Sequence, residues 1–195
     1  MSRVPAIPGR RGVVTLATLA VLAGIALPVL ASRLLITDPN DTAGLLDVHE
    51  VKFRDLDGTP PSWTVITFND WTVRQLWDRG YVLVNLDTRR SPEVDYYALV
   101  RSDRDRLRAS MWRRRVDAPD LWLFALSVGR RQQDGLEVWI PLRRLSFGAD
   151  RTLYRWSVTT LFTDGPCSGT CVDLAPDTGM VDQPLVTPSP TPSPT

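Results

Sequence analysis

The chain has 195 residues, of which 43% are hydrophobic, 23 are basic and 22 are acidic. This length allows one domain with a substantial core and is too short for two large ones. One histidine and two cysteines are too few for a zinc site with four protein ligands. The sequence also lacks a Gly-x-Ser-x-Gly motif and a phosphate-binding glycine loop, which disfavours nucleophilic hydrolysis and nucleotide chemistry.

The N-terminal segment is typical of an export signal. Three arginines precede an uncharged apolar stretch that ends in a small-residue cleavage motif at Ala31. Residues 1–31 are therefore predicted to be a signal peptide. An uncleaved signal anchor is the alternative, because residues 13–31 are close to the roughly 20 that span a bilayer. Both interpretations place the rest of the chain in the cell envelope or outside the cell, with membrane contact only through an uncleaved segment.

The charge of the exported part argues against nucleic acid as a partner. Loss of the three N-terminal arginines leaves 20 basic and 22 acidic residues, a net charge of −2. A protein that binds nucleic acid gains most of its affinity from basic side chains that displace counterions. No such basic excess remains here.

The middle of the chain predicts an all-β fold. Short segments alternate between apolar and polar residues, are rich in β-branched and aromatic residues, and are separated by turns every 8–12 residues. This pattern favours a two-sheet antiparallel sandwich of jelly-roll type over residues 36–183. The eight predicted strands cover residues 46–54, 63–68, 81–87, 95–101, 107–113, 121–128, 136–142 and 153–162.

Other segments give weaker structural signals. Residues 69–77 could form a short helix capped by Asn69 and Asp70. Residues 184–195 end in PSPTPSPT and are predicted to be a disordered Pro/Ser/Thr tail, because they cannot bury apolar area.

The two cysteines predict a small disulfide-bonded ring. Cys167 and Cys171 are separated by three residues, and cysteines of exported proteins are expected to pair. A ring of this size contributes little chain entropy, about 2 kcal/mol. We therefore expect the bond to hold one tight turn in shape.

Five aspartates form a candidate calcium site. Asp38, Asp41 and Asp47 precede the first predicted strand, and Asp173 and Asp177 follow the cysteines. Calcium takes 6–8 oxygen ligands, often carboxylates and backbone carbonyls together. The alternative is turn chemistry, because aspartate favours turns by bonding its own backbone. The calcium interpretation requires the two groups of aspartates to be neighbours in the fold.

Seven tryptophans suggest a second kind of site. Trp63, Trp122 and Trp156 fit alternating core positions of their strands. Exposed aromatic rings can instead bind the apolar face of a sugar. The candidates for such a ligand-binding role are Trp71, Trp112 and Trp139, although most aromatic residues of a sandwich belong to its core.

The order of acidic motifs resembles that of family 9 carbohydrate-binding modules and related DOMON-type domains. The motifs are the opening Asp38-x-x-Asp41, the strand that ends at Asp87, and Asp95-Tyr96-Tyr97. The segment from Cys167 to Gly179 also resembles the ends of exported β-sandwich proteins from GC-rich bacteria. This resemblance implies a β-sandwich, a calcium site near Asp38 and Asp41, and glycan binding.

Three functional hypotheses follow from the sequence. The first is an exported, non-enzymatic module that binds a glycan or another cell-envelope component, with calcium as a structural ion. The second is a structural or protein-interaction domain without a small ligand. The third is a glycoside hydrolase that uses two carboxylates. No catalytic residue is predicted, and the enzymatic hypothesis is the least favoured.

Overall fold

The computed structural model describes residues 32–56, 58–149, 152–163, 166–167 and 169–185. The predicted signal segment lies outside these residues, as does the predicted tail beyond residue 185. Within the described part of the chain, no helix is both long and apolar enough to cross a membrane.

Nearly all of the regular structure is β-strand. One short 3-10 helix, Leu142–Arg144, lies between the eighth and ninth of the eleven strands described. The strands are β1 (Ser32–Thr37), β2 (Val48–Asp55), β3 (Ser62–Thr67), β4 (Gly80–Asp87), β5 (Tyr96–Asp103), β6 (Arg106–Arg113), β7 (Leu121–Gln132), β8 (Gly135–Trp139), β9 (Leu153–Phe162), β10 (Cys171–Ala175) and β11 (Val181–Pro184).

The strands form one curled antiparallel sheet. Ten of them follow the order β1-β2-β3-β8-β7-β6-β5-β4-β9-β10, and β11 pairs with β9. Strand β7 joins the two halves of the sheet, because its residues 121–126 pair with β6 and its residues 127–132 pair with β8. Strand β9 is shared in a similar way between β11 and β10.

The hydrophobic core lies inside the curl, where strands from the two halves face each other. Phe53 of β2 lies 5.0 Å from Trp63 of β3 and 6.0 Å from Trp156 of β9, measured between ring centroids. All three rings are almost fully buried. These contacts join early and late strands across the core. Burial of large aromatic rings contributes strongly to stability, so the contacts hold the sheet closed.

The prediction of an antiparallel all-β fold is confirmed, and the eight predicted strands correspond to β2–β9. The sequence pattern missed β1, β10 and β11. Their apolar residues do not mark a buried face: β1 contains no buried residue, β11 contains one, and β10 buries Asp173 while it exposes Val172 and Leu174. The predicted helix over residues 69–77 is wrong, because the chain passes through successive turns there. Their hydrogen bonds include Gln75 N–H to Thr72 O and Trp77 N–H to Arg74 O.

Candidate functional site

Two segments that are far apart in sequence meet near the start of β2. Asp38, Asp41 and Asp47 lie between β1 and β2, whereas Asp173 lies on β10 and Asp177 follows it. Carboxylate oxygens of Asp38, Asp41 and Asp177 lie within 4.8 Å of one another, and so do those of Asp41, Asp47 and Asp173. We call these five residues the acidic cluster.

Strand β10 brings the two segments together. It pairs with the second half of β9 and places Asp173 beside the first residue of β2. The Asp173 Oδ2 atom accepts a hydrogen bond of 2.6 Å from the backbone N–H of Val48. Thr160 of β9 donates a hydrogen bond of 2.6 Å to the carbonyl of Leu46. The end of the 38–47 loop is thereby fixed against the last strands of the sheet.

The disulfide packs against the same loop. The sulfur atoms of Cys167 and Cys171 lie 1.98 Å apart, so the predicted pairing is confirmed. The Cys167 sulfur lies 3.4 Å from the carbonyl oxygen of Ala43. Gly44 has a φ of +133°, and a Cβ atom there would lie 3.4 Å from the Cys171 sulfur. Glycine suits this position because it adopts positive φ at little steric cost.

Three aspartates of the acidic cluster are buried. The exposed fractions of Asp38, Asp47 and Asp173 are 5%, 2% and 3%. Asp38 Oδ2 and Asp47 Oδ1 have no hydrogen-bond partner. Among the described residues, no Arg, Lys or His forms an ion pair with the cluster. A buried carboxylate without a partner is costly, so these oxygens call for a proton or a cation.

The pKa values of the three buried aspartates are all raised, and burial is the largest cause for each. Burial, together with the charges of Asp173, Asp177 and the other acids, raises the pKa of Asp38 to about 7. Burial followed by the charge of Asp173 also raises the pKa of Asp47, although hydrogen bonds from the backbone N–H groups of Thr42 and Asp41 act in the opposite direction. Burial raises the pKa of Asp173, although the N–H groups that bond its carboxylate act in the opposite direction.

The spacing of the carboxylates suits a hard divalent cation. Calcium binds oxygen atoms at 2.3–2.6 Å, so two of its ligand atoms can be separated by at most about 5 Å. The carboxylate oxygens of each group lie within 4.8 Å of one another and so satisfy this condition. The five candidate metal ligands predicted from the sequence therefore lie together.

The three candidate ligand-binding tryptophans lie in separate places. Trp71 is 2% exposed, and the Arg130 guanidinium lies 4.3 Å from its ring centroid. Trp139 lies on β8 with the Arg131 guanidinium 5.6 Å from its ring centroid. Trp112 lies on β6, on the face of the sheet that points away from the core.

Trp112 belongs to a row of aromatic residues across three neighbouring strands. It is the cross-strand partner of Tyr97 on β5 and of Trp122 on β7. The Tyr97 and Trp112 rings are within 4° of parallel, with centroids 6.4 Å apart. The Tyr97 hydroxyl donates a hydrogen bond of 2.8 Å to Asp120, and Trp112 Nε1–H donates one of 2.9 Å to Ser110. We call Tyr97, Trp112 and Trp122 the aromatic row.

Two members of this row, Tyr97 and Trp122, were not among the ligand-binding residues predicted from the sequence. The core position predicted for Trp122 is wrong, because this side chain is 53% exposed. The register shifts between Met111 and Trp112, so that Met111 pairs with Phe124 but Trp112 pairs with Trp122. Such a bulge redirects side chains, and strand alternation alone does not reveal it. By contrast, the core positions predicted for Trp63 and Trp156 are confirmed.

Comparisons of the chain with protein-family models, with curated proteins and with solved structures gave no match. The resemblance to family 9 carbohydrate-binding modules therefore depends on the sequence motifs alone.

Proposed function

We propose that this chain is an exported, non-enzymatic binding domain of the cell envelope whose acidic cluster binds calcium. The observation that carries the proposal is the pair of buried, unpartnered carboxylate oxygens on Asp38 and Asp47. Bound calcium would satisfy these oxygens and offset the repulsion among the five carboxylates. It would also join the 38–47 loop to β10, so its main role would be structural.

Two further observations support the proposed location and architecture. The N-terminal sequence pattern and the disulfide both suit an exported protein. We interpret the curled sheet as a two-layer sandwich of jelly-roll type, because Phe53 and Trp63 pack against Trp156 from the other half of the sheet. In that interpretation β7 passes from one layer to the other.

Calcium should raise the melting temperature of the purified chain. A ligand that binds only the folded state at one hundred times its Kd adds about 2.7 kcal/mol. For a chain of this size, that increment raises Tm by about 5–10 °C. The measurement is a calcium titration by differential scanning calorimetry after removal of metal with a chelator.

Two controls make this measurement specific. Magnesium should give a smaller shift, because it demands a tighter octahedral site and gives up its water reluctantly. Asp117 is exposed and lies outside the cluster, so Asp117→Asn should keep the full calcium response while Asp47→Asn loses most of it. A flat response at millimolar calcium would remove the proposal.

The aromatic row is the ligand surface that we propose for a glycan. Trp122 is half exposed, and the row continues on the same face to the partly buried Asn85 of β4. Asn85 donates a hydrogen bond of 2.8 Å to Thr159 on β9. Aromatic rings beside amide, hydroxyl and carboxylate groups provide the apolar and polar contacts that a pyranose needs.

Substitution of Trp122 should abolish most of the glycan binding without unfolding the protein. A well-placed aromatic contact contributes at least about 1.4 kcal/mol, so Trp122→Ala should weaken binding about tenfold or more. The measurement is a glycan array followed by titration of the best binder, with circular dichroism to verify the fold. Trp77→Ala is the matched control, because Trp77 is 42% exposed but lies outside the row.

The aromatic-row test also separates the alternative functions. Absence of binding to any glycan on the array, together with an intact fold, would favour a structural or protein-interaction domain. The hydrolase hypothesis needs two carboxyl groups about 5–9.5 Å apart across a substrate cleft. Among the described residues that line the open pocket of about 430 Å³ beside Trp71, Asp70 is the one that carries a carboxylate. The acidic cluster is too compact and too buried to enclose a sugar ring.

A further inference from the structure

We infer that the acidic cluster holds two cations, with Asp41 as the ligand that bridges them. This inference rests on the proposed calcium-binding function and specifies the number and arrangement of the ions. One position is formed by Asp38, Asp41 and Asp177, and the other by Asp41, Asp47 and Asp173.

The distances divide the cluster into two positions. The carboxylate oxygens form two groups of three within 4.8 Å, and Asp41 is the one residue common to both groups. A single calcium ion with oxygens at 2.3–2.6 Å can contact either group completely. Paired metal ions bridged by protein ligands lie about 3.5–4 Å apart, a separation that one shared carboxylate can span.

Each position has its own unsatisfied carboxylate oxygen. Asp38 belongs to the first group and leaves Oδ2 buried without a partner, whereas Asp47 belongs to the second and leaves Oδ1 in the same condition. Both side chains are more than nine-tenths buried. One ion in either position would leave the buried aspartate of the other position uncompensated.

The total charge of the acidic cluster also favours two ions. When all five carboxylates of the cluster are ionised they carry a charge of −5, which one divalent ion reduces to −3 and two reduce to −1. In the described part of the chain, no Arg, Lys or His pairs with these acids. Repulsion between like charges is large where water is excluded, so a second ion would allow the buried carboxylates of both positions to be ionised together.

The surroundings offer further oxygen ligands for the second position. The Thr42 hydroxyl lies 3.4 Å from Asp173 Oδ1 and 3.4 Å from Asp41 Oδ1. The carbonyl oxygen of Val172 lies 3.5 Å from the same hydroxyl. Calcium requires 6–8 oxygens, and bidentate carboxylates, these groups and water together can supply them.

The test is the number of calcium ions bound per full chain, measured by native mass spectrometry and by equilibrium dialysis. We expect two. Asp177→Asn should leave one ion, because Asp177 contributes only to the first group and is exposed, so its replacement should not disturb folding. Asp41→Asn should weaken both positions by about tenfold or more, since neutral ligands lower calcium affinity. Asp117→Asn should still bind two.

The possible outcomes are distinct. One ion per wild-type chain would overturn the two-ion inference and leave the proposed calcium-binding function intact. No bound ion at millimolar calcium would overturn both. Two ions in wild type that remain two, with unchanged affinity, in both Asp41→Asn and Asp177→Asn would place the ions elsewhere and overturn the assignment to this cluster.

Discussion

At the residue scale, the raised pKa of Asp38 should make the stability of the protein depend on pH. Its pKa rises from 3.8 to about 7 in the folded protein, chiefly because of burial and then because of the neighbouring acids. Between those two pKa values, folded Asp38 holds a proton that the unfolded chain has lost. The free energy of unfolding therefore decreases as the pH rises through this interval.

The raised pKa of Asp38 predicts how the stability of the calcium-free protein depends on pH. Relative to Asp38→Asn, the wild-type chain should lose stability as the pH rises from about 4 to about 7 and should change little above that. Urea unfolding at a series of pH values in the presence of chelator measures the difference. With calcium present, the pH dependence should reverse, because the ion binds ionised carboxylates and competes with protons. Identical pH profiles for the two proteins would contradict the role of Asp38.

At the scale of elements, the β4–β5 hairpin depends on a buried aspartate at its turn. Asp87 ends β4 and is fully buried. Its Oδ1 accepts hydrogen bonds of 3.0 and 3.1 Å from the N–H groups of Arg89 and Ser91, and its Oδ2 accepts one of 2.8 Å from Arg155 Nε on β9. One side chain thus closes the turn and joins it to a third strand.

Removal of this side chain should be strongly destabilising. Asp87→Ala would leave two turn N–H groups and the half-buried Arg155 without their partner, which costs about 3–5 kcal/mol for a buried ion pair. The measurement is the urea midpoint at neutral pH. Asp105→Ala is the control, because Asp105 forms an exposed ion pair with Arg74 and its loss should leave the midpoint nearly unchanged. If the two substitutions lowered the urea midpoint by similar amounts, burial of the aspartate would not be the cause of the destabilisation.

At the scale of the whole molecule, the curl of the sheet determines which residues meet. Strands β2 and β10 lie near opposite ends of the strand order, yet Asp173 of β10 bonds Val48 of β2. The disulfide, the 38–47 loop and the last strands consequently form one region. Together with the packing of Phe53 on Trp156, this region holds the first strands beside the last.

Much of this architecture could be predicted from the sequence. Alternation at period two identified strands with one face in the core, such as β4 and β5, whereas β3 was predicted from its β-branched and aromatic residues although both of its faces are buried. The disulfide was predicted because cysteines of exported proteins are expected to pair. The pattern failed for β1, β10 and β11. Strand β10, for example, buries Asp173 and exposes Val172 and Leu174. The pattern also failed for Trp122 because a bulge shifts the register beside Trp112.

From the amino-acid sequence alone, strands β2 to β9 and the five acids that are candidates for an ion could be predicted. That those acids meet, which of their oxygens are buried, and that they divide into two groups around Asp41 became clear from the folded chain. The physical reason is that local residue patterns specify which face of a strand is apolar, whereas the meeting of residues 38–47 with residues 173–177 depends on how the whole sheet closes around its core.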